Sequence, residues 1–170
     1  MIKKMIKKTI SNDIDNIYSL YKATASVPGG LARYQDEITA EYINDFVSRS
    51  MSRGLSLVTE IDGRIVGELH AYKPGIKVFN HVLSELTICI HPDYQGKKYG
   101  KRLFLEFMKI VKNEMMEIKR IELIARESNR KAITFYQSLG FEIEGCLKNR
   151  INGIFNKLEN DIPMGWIRKP

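Results

Sequence analysis

The part of the sequence with the clearest capacity for chemistry is a basic segment at residues 88–102, ICIHPDYQGKKYGKR. A β-branched run ends at a proline, and a short loop leads into a helical pattern, whose first N–H groups and dipole attract anions. Gly96 and Gly100 let the backbone come close to a ligand. The cations of this loop are Lys97, Lys98, Lys101 and Arg102. The segment therefore predicts a phosphate or pyrophosphate site.

Two common nucleotide-binding patterns are missing from this segment. It contains no Gly-Lys-Ser/Thr of a P-loop, and the glycine fingerprint of dinucleotide-binding proteins is also missing. A Gly-Lys loop alone is more often a solvated basic helix start. A further motif is needed to identify the ligand.

The elements that must position this segment alternate in type along the chain. Strands are predicted at 4–10, 55–60, 64–72, 82–90 and 120–125, with two more within 141–167 around Asn152-Gly153. Helices are predicted after a Ser11 or Asn12 cap, after a Thr39 cap, over residues 99–117, and from an Asn129 cap to Gly140. Hairpins mixed with crossovers predict an α+β fold with a mixed, mostly antiparallel sheet of six to seven strands and about four helices. A single domain over residues 1–170 is expected, because no repeat or linker interrupts the sequence.

Two ordered motifs together resemble the GNAT superfamily of acyl-CoA-dependent N-acyltransferases. Residues 95–100, QGKKYG, are similar to its Gln/Arg-x-x-Gly-x-Gly/Ala signature, with Lys98 in place of the first glycine. Residues 129–141, NRKAITFYQSLGF, resemble its second signature, an Asn at a helix start followed by a Tyr and a Leu-Gly-Phe ending. The resemblance covers residues 4 to about 166, and it implies that the fourth and fifth strands splay apart.

The resemblance implies acetyl-CoA as co-substrate and assigns residues to it, with no metal. The pantetheine arm would pair with the backbone of Ile88, Cys89 and Ile90. The pyrophosphate would lie against Gln95, Gly96, Lys97, Lys98, Tyr99, Gly100 and Lys101. Asn129 would contact the pantetheine arm, cap its helix, or do both, and Tyr136 would lie beside the cofactor. The Cβ of Lys98 occupies space that a glycine would leave open.

Acetyl transfer to an amine needs a base, an oxyanion donor and an acid. The resemblance assigns Tyr136 as the acid and a backbone N–H near residues 88–90 as the oxyanion donor. Glu85 on the fourth strand is the predicted base, with His81, His70 and a water chain as open alternatives. Cys89 is expected to be a small buried hydrophobe, which favours direct transfer in a ternary complex over an acetyl-cysteine intermediate.

The acceptor is expected between the loop at 28–33 and the region 150–159. Arg33 could hold a carboxylate, and Glu68, Glu159 or Asp161 could attract an amine, although each type is commonly a surface charge. The predicted acceptor is an amino-acid-like small molecule or a peptide or protein N-terminus. The alternative is a non-catalytic CoA-binding sensor or interaction module.

The formal net charge of the 170-residue chain is +7, and most of it lies in the second half. Residues 1–85 carry 11 basic and 10 acidic side chains, whereas residues 86–170 carry 16 and 10. Neither a basic stripe with interleaved aromatics nor a groove-reading helix is present, so no nucleic-acid partner is expected. No apolar run approaches the roughly 20 residues of a membrane span, so no membrane partner is expected. A cytoplasmic protein is predicted, and the resemblance makes a homodimer plausible.

Overall fold

A mixed sheet of eight strands runs through the described part of the chain, residues 4–153 and 156–169, in this computed structural model. The strands are β1 (Lys4–Lys8), β2 (Gly54–Ile61), β3 (Arg64–Tyr72), β4 (Val82–Ile90), β5 (Arg120–Arg126), β6 (Glu142–Ile143), β7 (Leu147–Asn152) and β8 (Leu158–Ile167). The helices are α1 (Ile14–Ala25), α2 (Ala40–Arg53), α3 (Tyr99–Glu114) and α4 (Arg130–Ser138). The spatial order is β1-β2-β3-β4-β5-β8-β6, with β7 also paired to β8. The predicted α+β fold is confirmed, and the C-terminal segment adds one strand more than expected because it includes the two-residue β6.

The predicted splay between the fourth and fifth strands is confirmed. They run parallel, and among the described residues only two pairs join them. Val82 lies opposite Arg120, and Leu83 lies opposite Ile121. From Ser84 onward β4 pairs only with β3 among the described residues. One edge of the β4 backbone is therefore open over most of its length.

A bulge interrupts β4 at the point where the two strands separate. The β3–β4 register shifts between His70 and Tyr72, and Glu85 has a φ of 55°. Leu83 and Leu86, three residues apart, consequently both pack into the cluster that contains α3. The bulge leaves Glu85 exposed beside the opening of the strands.

Apolar side chains cover both faces of the sheet. On one face, α3 buries a stripe that includes Leu103, Phe104 and Phe107, all at 0% exposure. On the other face, Ile17 and Tyr21 of α1 pack with Phe46 of α2 against the β2–β4 strands. The sheet is therefore the middle of three layers, and side chains on its two faces alternate between two separate cores.

Most predicted helix ends agree with the structure. Thr39 Oγ1 accepts a hydrogen bond from Tyr42 N at 3.1 Å, which confirms the α2 cap. The predicted Ser11 or Asn12 cap is wrong: residues 11–13 form a 3₁₀ turn before α1, and Asp13 Oδ2 accepts from Ile10 N at 3.0 Å. Within the described residues, no helix has the length and hydropathy that a membrane crossing requires.

Candidate active site

The loop before α3 has the backbone shape of an anion cradle. Gly96 and Lys98 both have left-handed backbones, with φ of 72° and 65°. Arg102 N makes the first bond of the α3 ladder, to Lys98 O at 3.1 Å. The N–H groups of Gly100 and Lys101 therefore precede the ladder, where they have no intrahelical acceptor. The left-handed conformation at Lys98 is one that glycine adopts without steric cost, so the lysine at this position carries some strain.

The start of α3 packs closely on β4. A Cβ added at Gly100 would lie 3.4 Å from Ile90 Cγ1 and 3.7 Å from Ile88 Cδ1. Gln95 Nε2 donates to Ile90 O at 3.0 Å, which ties the loop to the end of the same strand. The predicted phosphate loop and the predicted pantetheine strand are therefore adjacent in space.

The four cations of this loop are arranged around its outer surface. Lys97 Nζ donates to Asp93 O at 2.8 Å and lies 5.4 Å from the centre of the Tyr94 ring. Lys101 Nζ lies 6.0 Å from the centre of the Phe135 ring. Lys98 and Arg102 are exposed. The clustered charge and the open helix start fit a pyrophosphate, whereas the Tyr99 side chain is buried and packs with Ile61 and Val66.

A cavity of about 410 Å³ occupies the opening between β4 and β5. Its β4 wall consists of Ser84, Glu85, Leu86 and Thr87, and its β5 wall includes Leu123 and Ile124. Ile88 and Ile90 continue the strand, and their side chains pack toward α3. The space is where an extended chain could lie along the open edge of β4, as the resemblance predicts for the pantetheine arm.

A larger cleft of about 1000 Å³ lies on the α1–α2 side of the sheet. The predicted acceptor segments line it together, Pro28–Arg33 from the first side and Arg150–Gly153 from the other, although Gly30 is not among the lining residues. The rest of the predicted region 150–159 includes residues 154 and 155, which lie outside the described residues. Glu85 and Thr87 line both this cleft and the cavity beside β4. The two spaces therefore meet at the β4 bulge.

Three arginines and four acidic side chains line the cleft among the described residues. Arg126 and Arg150 have carboxylate partners, Glu159 at 3.1 Å and Asp161 at 3.0 Å. The Arg33 guanidinium instead stacks on the Tyr42 ring at 4.1 Å and forms no ion pair with any described residue. Arg33 is thus the cleft arginine with the greatest capacity to bind a substrate carboxylate, whereas Glu159 and Asp161 are neutralised by arginine.

A buried polar network lies beneath the cleft. Glu68, one of the residues expected to attract an amine, is 0% exposed and is therefore not a surface charge. It accepts hydrogen bonds from Tyr21 Oη at 2.7 Å, Ser56 Oγ at 2.9 Å and His70 Nδ1 at 3.0 Å. Sequence reasoning considered Glu68 and His70 separately, although their i, i+2 spacing on a strand places them on one face.

Tyr136 lies among aromatic side chains on the α3–α4 side of the sheet. Its ring centre is 5.2 Å from that of Phe104 and 6.0 Å from that of Phe141. Burial raises the pKa of Tyr136 to about 12, so the phenol is protonated at neutral pH. Tyr136 shares its apolar cluster with Ile88 and Ile90, but it does not line either cavity described above.

The remaining predicted residues have simpler surroundings. Cys89 is 1% exposed, its Sγ donates to Thr24 Oγ1 at 3.2 Å, and burial raises its thiol pKa to about 12. It is therefore a neutral buried thiol. Asn129 Oδ1 caps α4 by accepting from Ala132 N at 3.2 Å. His81 is exposed just before β4 and is absent from the described lining of both cavities.

Comparisons with known proteins match this arrangement. A sequence profile of the acetyltransferase (GNAT) family matches residues 14–141. The spermidine N(1)-acetyltransferase of Escherichia coli K12 is 35% identical over 103 residues, covering 56% of this chain and 50% of that protein. The L-amino acid N-acetyltransferase AaaT of E. coli K12 is 33% identical over 92 residues, covering 54% of this chain and 56% of that protein. The chain spans about half the length of these curated relatives.

Solved structures share the whole fold at low sequence identity. The structure of YncA from Salmonella typhimurium with its cofactor acetyl-CoA has a TM-score of 0.84 to this chain at 15% identity. The match covers 99% of this chain and 95% of that one. The family profile extends from α1 through α4, and so includes the splayed β4, the basic loop and the aromatic cluster around Tyr136. On these matches, the chain belongs to the acetyltransferase (GNAT) family.

Proposed function

We propose that this protein transfers the acetyl group of acetyl-CoA directly to a primary amine, with both substrates bound at once. The observation that carries this proposal is that Glu85 and Thr87 line both cavities. A thioester held along the open edge of β4 and an amine held in the cleft would meet at these two residues. A strand with one unpaired edge is well suited to bind an extended acyl carrier there.

The donor side follows from the basic loop and β4. The backbone of residues 95–101 would bind the pyrophosphate, and the lysines at 97, 98 and 101 would neutralise its charge. The backbone of Ile88, Cys89 and Ile90 would pair with the pantetheine arm and supply the N–H group that stabilises the oxyanion. Asn129 already caps α4, and its amide nitrogen would remain for the pantetheine arm.

The chemistry requires one proton to leave the ammonium before attack. The free amine then adds to the thioester carbonyl, the C–S bond breaks, and the departing sulfur takes a proton from Tyr136. The tyrosine regains a proton from the new amide nitrogen, directly or through solvent. The raised pKa of Tyr136 keeps it in the protonated form that this role requires.

The acceptor is proposed to be an amino-acid-like molecule or a peptide N-terminus. Arg33 supplies a guanidinium without a carboxylate partner among the described residues, and Glu85 supplies an exposed carboxylate where the cavities meet. This pairing matches a substrate that carries both an amine and a carboxylate. The relatives that act on spermidine and on L-amino acids define the two acceptor classes to compare.

The test is acetylation of an amine panel, monitored by release of free thiol from acetyl-CoA and by product mass. The panel contains L-amino acids, peptides with free N-termini, spermidine, and amines that lack a carboxylate. We expect turnover with carboxylate-bearing amines, and Arg33→Met should raise their KM while affecting spermidine less. CoA binding without turnover on any member would instead favour the non-catalytic module.

The ternary-complex mechanism predicts that Cys89 stays unmodified. Because its thiol is buried and neutral, incubation with acetyl-CoA alone should leave it unacetylated. Cys146, which is exposed, provides a control in the same chain. Iodoacetamide on the native protein should label Cys146 and spare Cys89, as peptide mass spectrometry would show. An acetyl group on Cys89 that passes to an added amine would contradict direct transfer.

A homodimer and a cytoplasmic location stay predictions from the sequence. Light scattering of the purified chain tests the first, and a tagged full-length protein followed by fractionation tests the second.

A further inference from the structure

The proposed reaction leaves the proton acceptor open, and the buried network beneath the cleft contains a histidine suited to that role. His70 lies on β3, is 2% exposed, and lines the cleft. It is directly opposite Thr87 in the β3–β4 register. Cross-strand partners project from the same face of a sheet, so His70 lies beside the residue where the two cavities meet.

The hydrogen bonds of Glu68 determine which nitrogen of His70 carries the proton. His70 Nδ1 lies 3.0 Å from Glu68 Oε2 and 3.2 Å from Oε1. A carboxylate accepts, so Nδ1 must donate, and the lone pair of the neutral ring is then on Nε2. Tyr21 and Ser56 donate to the same carboxylate, and they hold it in place from α1 and β2.

Aromatic packing fixes the plane of the imidazole. The Phe46 ring is stacked on His70 with a centroid distance of 4.0 Å and an interplanar angle of 13°. The Tyr72 ring is parallel within 6° at 6.1 Å. The ring cannot rotate freely, so Nε2 keeps one direction relative to the cleft. A fixed direction is what a proton acceptor needs in order to meet the substrate amine.

We infer that His70 Nε2 is the general base of the proposed reaction and that Glu68 is the positioning residue that sets its tautomer. This inference rests on the proposed acetyl transfer. The acceptor ammonium gives one proton to Nε2 and becomes a free amine, and the imidazolium shares its Nδ1 proton with the Glu68 carboxylate. The His70 proton returns to solvent after product leaves. Net, the reaction converts an ammonium and acetyl-CoA into an amide, free CoA and one proton.

Glu85 has a different place in this scheme. It is exposed at the bulge, and no described residue fixes its carboxylate by a hydrogen bond or ion pair. A solvated carboxylate attracts an ammonium but holds it in no single orientation. Glu85 therefore guides the protonated amine to the meeting point, and His70 removes the proton.

Several titratable and charged groups face His70, and each must be considered when the pH dependence of kcat is interpreted. They are Glu68 and Tyr72 on β3, Tyr21 on α1, Tyr42 and Asp45 on α2, Glu85 and Cys89 on β4, and Arg33 in the loop before α2. Burial raises the pKa of the three tyrosines and of Cys89. These four stay neutral near pH 7, so none of them accounts for a loss of kcat toward acid pH.

The test compares His70→Gln with Glu85→Gln, using kcat at saturating acetyl-CoA and amine across pH. The kcat of wild type is expected to fall toward acid pH as a single group takes up one proton. This fall is the acidic limb of the kcat–pH profile. His70→Gln should lower kcat at neutral pH by about 100-fold or more and remove that limb. Glu85→Gln should keep the limb and raise the KM of the amine.

Two further variants separate positioning from packing. Glu68→Gln should lower kcat roughly tenfold or more and move the limb to lower pH, because an amide holds the imidazolium less well than a carboxylate. Phe46→Leu removes the stacked ring that fixes the imidazole plane but leaves both nitrogens, so it should lower the melting temperature and kcat and keep the limb. Nitrogen-15 NMR of the imidazoles, assigned with His70→Gln, should show His70 protonated at Nδ1.

The outcomes distinguish this inference from the proposed function. If wild type acetylates an amine and His70→Gln, folded by circular dichroism, keeps kcat and the acidic limb, the inference is overturned and the acetyl transfer stands. Loss of the limb in Glu85→Gln alone, or an Nε2–H tautomer by NMR, overturns it as well. If wild type acetylates no amine, the proposed function fails. The tautomer of His70 measured by NMR then tests by itself whether Nδ1 carries the proton.

Discussion

Replacement of Tyr136 by Phe is expected to lower kcat about 100-fold or more while the Kd of acetyl-CoA stays within about twofold. The phenol is the proton donor proposed for the departing CoA thiolate, and burial raises its pKa to about 12. The ring itself packs against Phe104, Phe135 and Phe141, and phenylalanine keeps those contacts. Steady-state kinetics with the best amine from the panel, together with calorimetric titration of acetyl-CoA, checks this result.

The structure also predicts that Tyr136→Phe should leave the stability of the protein nearly unchanged. Tyr136 Oη has no hydrogen-bond acceptor among the described residues, so its removal should change the free energy of unfolding by less than about 0.5 kcal/mol. Phe135→Leu, on the same helix, provides a packing control that retains the phenol. Parallel losses of kcat and acetyl-CoA affinity in Tyr136→Phe would contradict the acid role.

Replacement of Gly100 by Val is expected to weaken CoA binding about 100-fold, equivalent to about 2.8 kcal/mol. Gly100 belongs to the first turn of α3, where the backbone N–H groups are proposed to contact the pyrophosphate. An added Cβ would lie 3.4 Å from Ile90 Cγ1, at the near limit of ordinary contact, so the first added carbon fits against β4. The larger side chain would instead obstruct the ligand and separate it from the N–H donors, each worth about 1.5–3 kcal/mol with a charged partner.

Gly63→Ala is the matched control for that variant. Gly63 has a φ of 82° in the β2–β3 turn, and no atom lies within 4 Å of an added Cβ. The substitution should lower stability through backbone strain and leave CoA affinity unchanged. The CoA affinity of Gly100→Ala should lie between those of wild type and Gly100→Val. Unchanged CoA affinity in Gly100→Val, measured by calorimetry on the folded protein, would refute the proposed phosphate loop.

The basic loop could be predicted from sequence because its information is local. A strand that ends at Ile90 just before Pro92, a glycine at 96 and the start of α3 at Tyr99 all follow from short-range backbone preferences. The strand and helix types were likewise predictable from periodicity. Boundaries shifted by a few residues, as at α3, which ends at Glu114, because the final turn depends on what packs against it.

Side-chain burial could not be predicted where it depends on distant elements. Glu68 has the sequence context of an ordinary strand carboxylate, yet Tyr21 and Ser56, 47 and 12 residues away, surround it with donors. Glu85 follows simple alternation in the sequence, whereas the register shift against β3 places it at a bulge with a left-handed backbone. Long-range pairing decided both environments.

The sequence by itself indicated the basic strand–loop–helix segment at 88–102, the order of strands and helices and the family resemblance, because each is carried by short stretches of the chain. Tertiary structure alone decided that the larger cleft and the β4–β5 opening meet at Glu85 and Thr87, and that His70 is held by a buried carboxylate. The physical reason is that burial and hydrogen-bond partners arise when separate strands and helices pack together. The positive charge at Lys97–Arg102 thus indicated the proposed donor site from sequence, whereas the buried carboxylate beside His70 became visible only in the folded sheet.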